Sequence, residues 1–404
     1  MKITKLAMSA ALVAACFGRA AHAQAPAEAS MSDFGYYAAG QAPVTTGAHV
    51  HRDHSMVVQA AASEAADEPW TLVQNDPLGI DIGGWAQLGY HTYNNALFNQ
   101  HADKVNLHQA WLFAEKVADG SEGVGLGGRI DYIYGVDAND TQAFGKGDDH
   151  FDNAWDNGIY GHAIPQLYGE IAVGDLSVKV GHFYTLIGYE VVGAPGNFFY
   201  SHSYTMYNSE PFTHTGALAQ FNAGDGLTLY GGYVMGWDSG FEDNGDAFLG
   251  GYSYDLSDSI NVTNQYVAGR FGLDEVGFMS SSIITTQLSD YITHVLWVDL
   301  LDTDGTGRST ERETFDVNNY LLLTLTDNVT WGNRFEWYNI DKGVYGVTTG
   351  KSDIYAFTTG LNYAAGTNLL FRPEVRWDWD KDAVSGLELG STQTTFGADM
   401  IFTF

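Results

Sequence analysis

The sequence predicts an all-β fold: a transmembrane antiparallel β-barrel of sixteen strands, with short turns at one end and long loops at the other. Three observations carry that prediction. Segments alternate between an apolar and a polar face, tight turns of a shared grammar separate them, and the last segment alternates to a terminal phenylalanine.

The alternation is clearest near the C-terminal end. In residues 328–340 one face reads Val329, Trp331, Asn333, Phe335, Trp337 and the other Thr330, Gly332, Arg334, Glu336, Tyr338. In residues 368–379 one face reads Leu369, Phe371, Pro373, Val375, Trp377, Trp379, against Leu370, Arg372, Glu374, Arg376, Asp378. Segments 123–136, 226–237 and 353–364 behave likewise. A soluble β-sandwich also alternates, but it seldom places Trp and Tyr so often at strand ends. A membrane barrel uses them there as interfacial girdles.

The turns sort into two kinds. Asp255-Leu256-Ser257-Asp258-Ser259, Gln287-Leu288-Ser289-Asp290-Tyr291 and Thr324-Leu325-Thr326-Asp327-Asn328 read as versions of one hairpin, and Val173-Gly174-Asp175 and Ala223-Gly224-Asp225-Gly226 as glycine-based equivalents. Between them lie long acidic stretches, 137–162, 188–212, 238–245 and 302–313. The segments so delimited are 79–92, 105–117, 123–136, 163–173, 176–187, 213–222, 226–237, 246–255, 259–270, 279–288, 291–301, 314–326, 328–340, 353–364, 367–379 and 393–404. They give seven short turns and eight long loops. The second, fourth, tenth and eleventh alternate less cleanly, so fourteen or eighteen strands stay open. Thr394, Phe396, Ala398, Met400, Phe402 and Phe404 form one face of the last segment, a pattern similar to the signal read by the barrel assembly machinery.

The N-terminus is read apart from the fold. Two lysines, an apolar run over residues 6–17 and Ala21-His22-Ala23 describe a signal peptide, residues 1–23. The run before Cys16 also resembles a lipoprotein processing site. If Cys16 is removed, no thiol remains. Residues 24–78 are Ala-rich, lack an apolar face and read as a disordered periplasmic tail, which leaves 79–404 for the barrel. The whole chain carries 18 basic and 49 acidic residues, a net charge of −31, which argues against a nucleic-acid partner. Aromatics at 14% and 48 glycines against eight prolines favour a β-rich chain.

With the segments placed, the chain resembles the OmpL-like β-barrel porin family of outer membranes. The residues that carry this are Gly181-His182-Phe183-Tyr184, Tyr189-Glu190-Val191-Val192, Asn197-Phe198-Phe199-Tyr200-Ser201-His202-Ser203-Tyr204 and Glu210-Pro211-Phe212-Thr213-His214-Thr215-Gly216, with Phe335-Glu336-Trp337 as a later echo. The resemblance implies residence among outer-membrane lipids of a Gram-negative-type bacterium and a diffusion pore for small polar solutes or ions. It supplies no substrate. By analogy with barrels of this strand number, a homotrimer is expected.

Within that frame the candidate residues fall into two groups. Inward side chains expected on the pore wall are Arg129, Asp131, Glu170, Lys179, Arg334, Glu336, Arg372, Glu374 and Arg376, where opposed charges select ions and orient solutes. The total charge points to cation preference. Loop 188–212 follows the fifth strand and is too apolar to be left in water, so it is expected to fold inward as a constriction. Its candidate residues are Tyr189, Glu190, Asn197, Phe198, Phe199, Tyr200, His202, Tyr204 and Glu210, with His214 just beyond. Covalent chemistry is not expected: Ser201 and Ser203 adjoin a histidine, but no GxSxG elbow is present. A non-conducting structural or adhesive barrel is the alternative, and a membrane-embedded ester hydrolase a distant third. No cofactor is required. His49-x-His51-x2-His54 offers ligands in the tail. Asp302-x-Asp304-Gly305, and Asp148-Asp149 with Asp152 and Asp156, offer oxygen ligands for Ca²⁺, although solvated acidic loops are the favoured reading.

Overall fold

The computed structural model describes residues 70–73, 78–143, 151–152, 156–242, 244–305, 311–343 and 351–404. The expected signal peptide over residues 1–23, Cys16, the 49–54 histidines and Asp148-Asp149 lie outside the described residues, as does nearly all of the segment 24–78 read as a tail.

Sixteen strands close into an antiparallel barrel in which each strand pairs with its neighbours in sequence and the first pairs with the last. They are β1 (Asp81–His91), β2 (Asn106–Lys116), β3 (Val124–Gly135), β4 (Gly161–Val173), β5 (Leu176–Tyr184), β6 (Thr213–Gly224), β7 (Leu227–Val234) and β8 (Asp246–Ser257). The second half comprises β9 (Ile260–Gly272), β10 (Glu275–Ser289), β11 (Ile292–Gly305), β12 (Glu313–Thr326), β13 (Val329–Lys342), β14 (Ser352–Ala364), β15 (Leu369–Asp380) and β16 (Thr392–Thr403). Closure leaves no unpaired edge to strand backbone groups in hydrocarbon. At the seam Trp85 lies opposite Thr403 and His91 opposite Gly397. Gly84 and Phe404 exchange backbone hydrogen bonds of 2.8 and 2.9 Å, so the terminal residue helps complete the ladder.

The alternation read from sequence is the alternation of the wall. On β13 the even-numbered residues from Thr330 to Ile340 are buried inside, while Trp331 and Phe335 are exposed on the outer face. On β15 Arg372, Glu374, Arg376 and Asp378 are buried and Phe371 and Trp379 exposed. The outer face elsewhere carries Leu112, Ile130, Ile171, Val180 and Leu229, an apolar belt suited to lipid. No helix among the described residues is long and apolar enough to cross a membrane. The β6–β7 turn shows why its residues were chosen: Gly224, Asp225 and Gly226 all have positive φ (79°, 49° and 75°), which glycine and aspartate tolerate.

Two boundaries differ from the sequence reading. The long loop expected between the ninth and tenth strands is a turn of Leu273 and Asp274, because Val276-Gly277-Phe278 continues the β10 alternation and pairs with Arg270, Gly269 and Ala268. The same extension gives β11 a partner beyond residue 301. Asp302 and Asp304 therefore lie in a strand opposite Phe278 and Val276, not in an acidic loop. No group of three or more potential metal ligands was found among the described residues. At the end of the tail, Trp70 exchanges hydrogen bonds of 2.9 Å with the Asn368 side chain and stacks on Phe402.

Candidate functional site: the loop between β5 and β6

Residues 185–212 leave the top of β5 and return to β6 through a closed neck, where the Thr185 N–H donates to the Phe212 carbonyl at 3.0 Å. Between these points the chain enters the barrel. A short 3₁₀ turn (Ala194–Gly196) with Pro195 sets the bend, and a six-residue helix, Tyr204–Ser209, follows. Asn197 locks the bend by accepting from Val191 N–H at 2.9 Å and donating to the Val191 carbonyl at 2.5 Å.

The loop's polar backbone is satisfied by charges from the wall. Arg372 donates to the Ala194 carbonyl at 2.9 Å while also holding Asp399 at 2.9 Å. Glu374 accepts from Tyr200 N–H at 2.9 Å and from Ser201 N–H at 3.2 Å. Glu336 accepts from Tyr204 N–H at 3.0 Å and Thr205 N–H at 2.8 Å, placing a carboxylate where the short helix begins. Arg334 donates to the Ser201 carbonyl at 2.8 Å, and Arg376 to that of His202. Five inward residues of β13 and β15 thus replace the water that those backbone groups would otherwise bind.

Glu190 ties the two limbs of the loop together. Its carboxylate pairs with Arg334 and accepts from Ser203 N–H at 2.7 Å, Ser203 Oγ at 2.9 Å and Tyr320 Oη at 2.7 Å. Burial by itself would raise this carboxyl, but Arg334, His202 and the bonds from Ser203 and Tyr320 together outweigh it and hold Glu190 below its ordinary value. The aromatic residues fill the remaining space. Phe199 lies under the Arg334 guanidinium and Tyr204 under that of Arg376, at 5.1 and 4.9 Å. Tyr189 packs on Tyr320 at 4.8 Å, and His202 on Phe98 at 4.7 Å. Phe198 sits over Gly332, where a Cβ would come within 2.1 Å of the ring. The Tyr200 hydroxyl reaches His108 at 2.6 Å and His91 at 3.1 Å, and His108 in turn pairs with Asp137 at 2.8 Å. Burial raises the Tyr200 phenol well above its ordinary value, so it remains a hydroxyl.

The result is a dry interior around the loop. Every strand contributes at least one inward side chain no more than 2% exposed, among them Gln109, Ile133, Phe183, Val234, Val267, Trp297, Thr358 and Asp399. Arg334, Glu336 and Arg376 are themselves 0% exposed: their charges face the loop and each other rather than water.

Not all the expected wall residues join this assembly. Arg129 is neutralised on its own sector by Glu115 at 2.7 Å and Asp131 at 2.6 Å, with Trp111 donating to Asp131 at 2.9 Å. Glu170 and Lys179 lie opposite each other on β4 and β5, with Lys179 over the Tyr168 ring at 4.8 Å. His214 sits at the neck, bonded to the Gly236 carbonyl at 2.8 Å and to Thr185 Oγ1 at 3.1 Å. The hydroxyls of Ser201 and Ser203 bond Arg334 at 3.1 Å and Glu190 at 2.9 Å, not a histidine. Residues that the sequence reading missed include His91, His108, Asp137, Asp299, Asp316, Tyr320 and Asp399. The available signal was parity: Asp299 is two residues from Trp297, and Asp316 and Tyr320 share one face of β12.

A closed sixteen-stranded barrel with an apolar outer belt, a charged inner wall and the β5–β6 loop folded inside defines an outer-membrane β-barrel of the porin class. The chain belongs to the family described as "Putative beta-barrel porin-2, OmpL-like", whose model matches residues 79–404. Among solved structures it is similar to the trimer form of OmpT, an outer membrane protein of Vibrio cholerae, at TM-score 0.56 and 9% identity, covering 80% of this chain and 99% of that one. It is similar also to a mutant of the Rh. blastica porin at TM-score 0.51 and 14% identity, covering 80% and 100%. Those likenesses concern the fold. No curated protein matches the sequence.

Proposed function

We propose that this protein is a passive outer-membrane diffusion channel for small hydrophilic solutes or ions, without covalent chemistry, whose permeability is set by the 185–212 loop. The observation that carries this reading is the loop's position inside the lumen, anchored by Arg334, Glu336, Arg372, Glu374 and Arg376. Cation preference follows from the acidic composition, and homotrimeric assembly from the analogy with trimeric barrels of similar fold. The test is reconstitution in planar bilayers, with conductance, reversal potential and solute-size cutoff measured for the full chain and for a variant lacking residues 191–210. Larger conductance on deletion supports the reading. The dry interior around the loop favours a second reading, a barrel that does not conduct. Silence of both proteins in the bilayer would establish that reading instead.

A further inference from the structure

The C-terminal limb of the loop ends at Glu210, which is buried in the lumen beside two strand carboxylates. Gly188, at φ +94°, makes room for it: a Cβ there would lie 2.2 Å from Glu210 Oε2. The Glu210 and Asp299 carboxyls are buried against each other. Two carboxylates cannot bond unless one holds a proton. Glu210 Oε1 and Asp299 Oδ2 each receive no donor, which leaves both able to share one proton, although Asp299 Oδ1 receives Trp297 Nε1 at 2.7 Å. Asp316 is also fully buried and keeps Oδ1 without a donor, its other oxygen receiving Thr314 Oγ1 at 3.2 Å.

We propose that Glu210 and Asp299 form a proton-dependent latch that holds the 185–212 loop in the lumen, closed while the pair shares a proton and released as that proton is lost to water. The proposal rests on the diffusion-channel reading above. The charges acting on Glu210 come from Asp299 on β11, Asp316 on β12 and Glu190 on the loop itself. Glu190 is neutralised by Arg334. Arg312 reaches the Asn208 carbonyl at 3.4 Å and is engaged by Glu275 at 2.8 Å. Every carboxylate that faces the pair therefore disfavours its second negative charge. Burial together with Asp299 raises the Glu210 carboxyl well above its ordinary value.

The sign follows from linkage. A carboxyl whose pKa is higher closed than open binds its proton more tightly in the closed state. Closure is fully supported below the ordinary glutamate value, about 4.3, and weakens as pH rises toward the closed-state value. Each proton lost on opening shifts the open-to-closed ratio by up to about tenfold per pH unit. Burial lowers His202 on the loop, so it acts in the opposite sense on acidification; His91 and His108 bond the loop through Tyr200, and Asp140 bonds it through Tyr207 at 3.1 Å. The informative quantity is thus the difference between two proteins that share those groups.

The experiment records single-channel open probability from pH 4.5 to 8.5 for the full chain, for Glu210→Gln and for the 191–210 deletion. The glutamine side chain keeps a donor for Asp299 but cannot ionise. The full chain is expected to open more as pH rises, and Glu210→Gln to lose about one proton's worth of that slope and stay closed at high pH. Identical pH curves for the two would overturn the latch. A deletion variant that conducts while those curves coincide leaves the channel reading standing without the latch, whereas silence of both the full chain and the deletion variant removes the channel reading itself.

Discussion

Replacing Glu190 by Gln tests whether the loop is held by its ion pair. Four donors converge on this carboxylate: Arg334, Ser203 N–H, Ser203 Oγ and Tyr320 Oη. A glutamine amide offers only its oxygen as acceptor, so about half of these bonds are lost, and Arg334 is left buried without its counter-charge. Removing one partner of a buried ion pair costs ~3–5 kcal/mol. That loss falls on the closed arrangement, because a displaced loop hydrates both groups. At 1.4 kcal/mol per tenfold, the open-to-closed ratio rises by roughly a hundred- to several-thousandfold. Planar-bilayer recordings read this as longer openings at unchanged single-channel amplitude, relative to open events of the parent. Wild-type gating in a variant that folds and inserts normally would refute the idea that this ion pair holds the loop.

Gly84→Ala places a methyl 2.0 Å from the Trp111 carbonyl oxygen in the β1–β2 ladder. The β1–β2 pairing should weaken by ~1–3 kcal/mol, seen as a lower unfolding temperature of the detergent-solubilised barrel. Gly332→Val displaces the Phe198 ring from the wall and is expected to raise open probability without lowering that unfolding temperature. Burial raises Asp238 to about 7, and its Oδ1 receives Phe212 and Thr213 N–H at 2.7 Å each. A raised carboxyl supports the neck fully below about 4 and loses that support as pH rises toward 7. Protease nicking near residue 212 should accelerate across that range, and Asp238→Asn should flatten the dependence. Reversal potentials in a salt gradient are expected to show cation preference for the open channel. Anion preference would mean that the basic residues of the wall outweigh the acidic loops.

How much of this was legible before the fold is seen most clearly strand by strand. On β13 and β15, period two by itself separated Trp331 and Phe371 from Arg334 and Arg372, because a strand in a membrane has only two environments and a one-residue slip exchanges them. The strand count followed from turns such as 224–226, where the backbone admits few residues. Parity failed where it was not followed along every strand. Asp299, Asp316 and Asp399 are each the only acid in the segments read as 291–301, 314–326 and 393–404, and stood out only once the loop lay inside the barrel. The boundary near residue 275 failed for a different reason: Gly272 to Gly277 has turn-like composition, yet neighbouring strands supply its hydrogen bonds.

The sequence by itself determined the barrel, its outward belt and the presence of an apolar loop after β5, since each depends on local periodicity or turn chemistry; it favoured sixteen strands over fourteen or eighteen, and closure of the barrel decided the number. Only the tertiary structure decided what the charges do. Arg334, Glu336, Arg372, Glu374 and Arg376 could have faced open water on the strength of their parity. Instead the loop brings backbone carbonyls, amides and Glu190 to them across more than a hundred residues of chain. Period two says which side of the wall a residue occupies. It does not say what stands on the other side of the lumen, because that contact is set by closure of the barrel and the path of one loop.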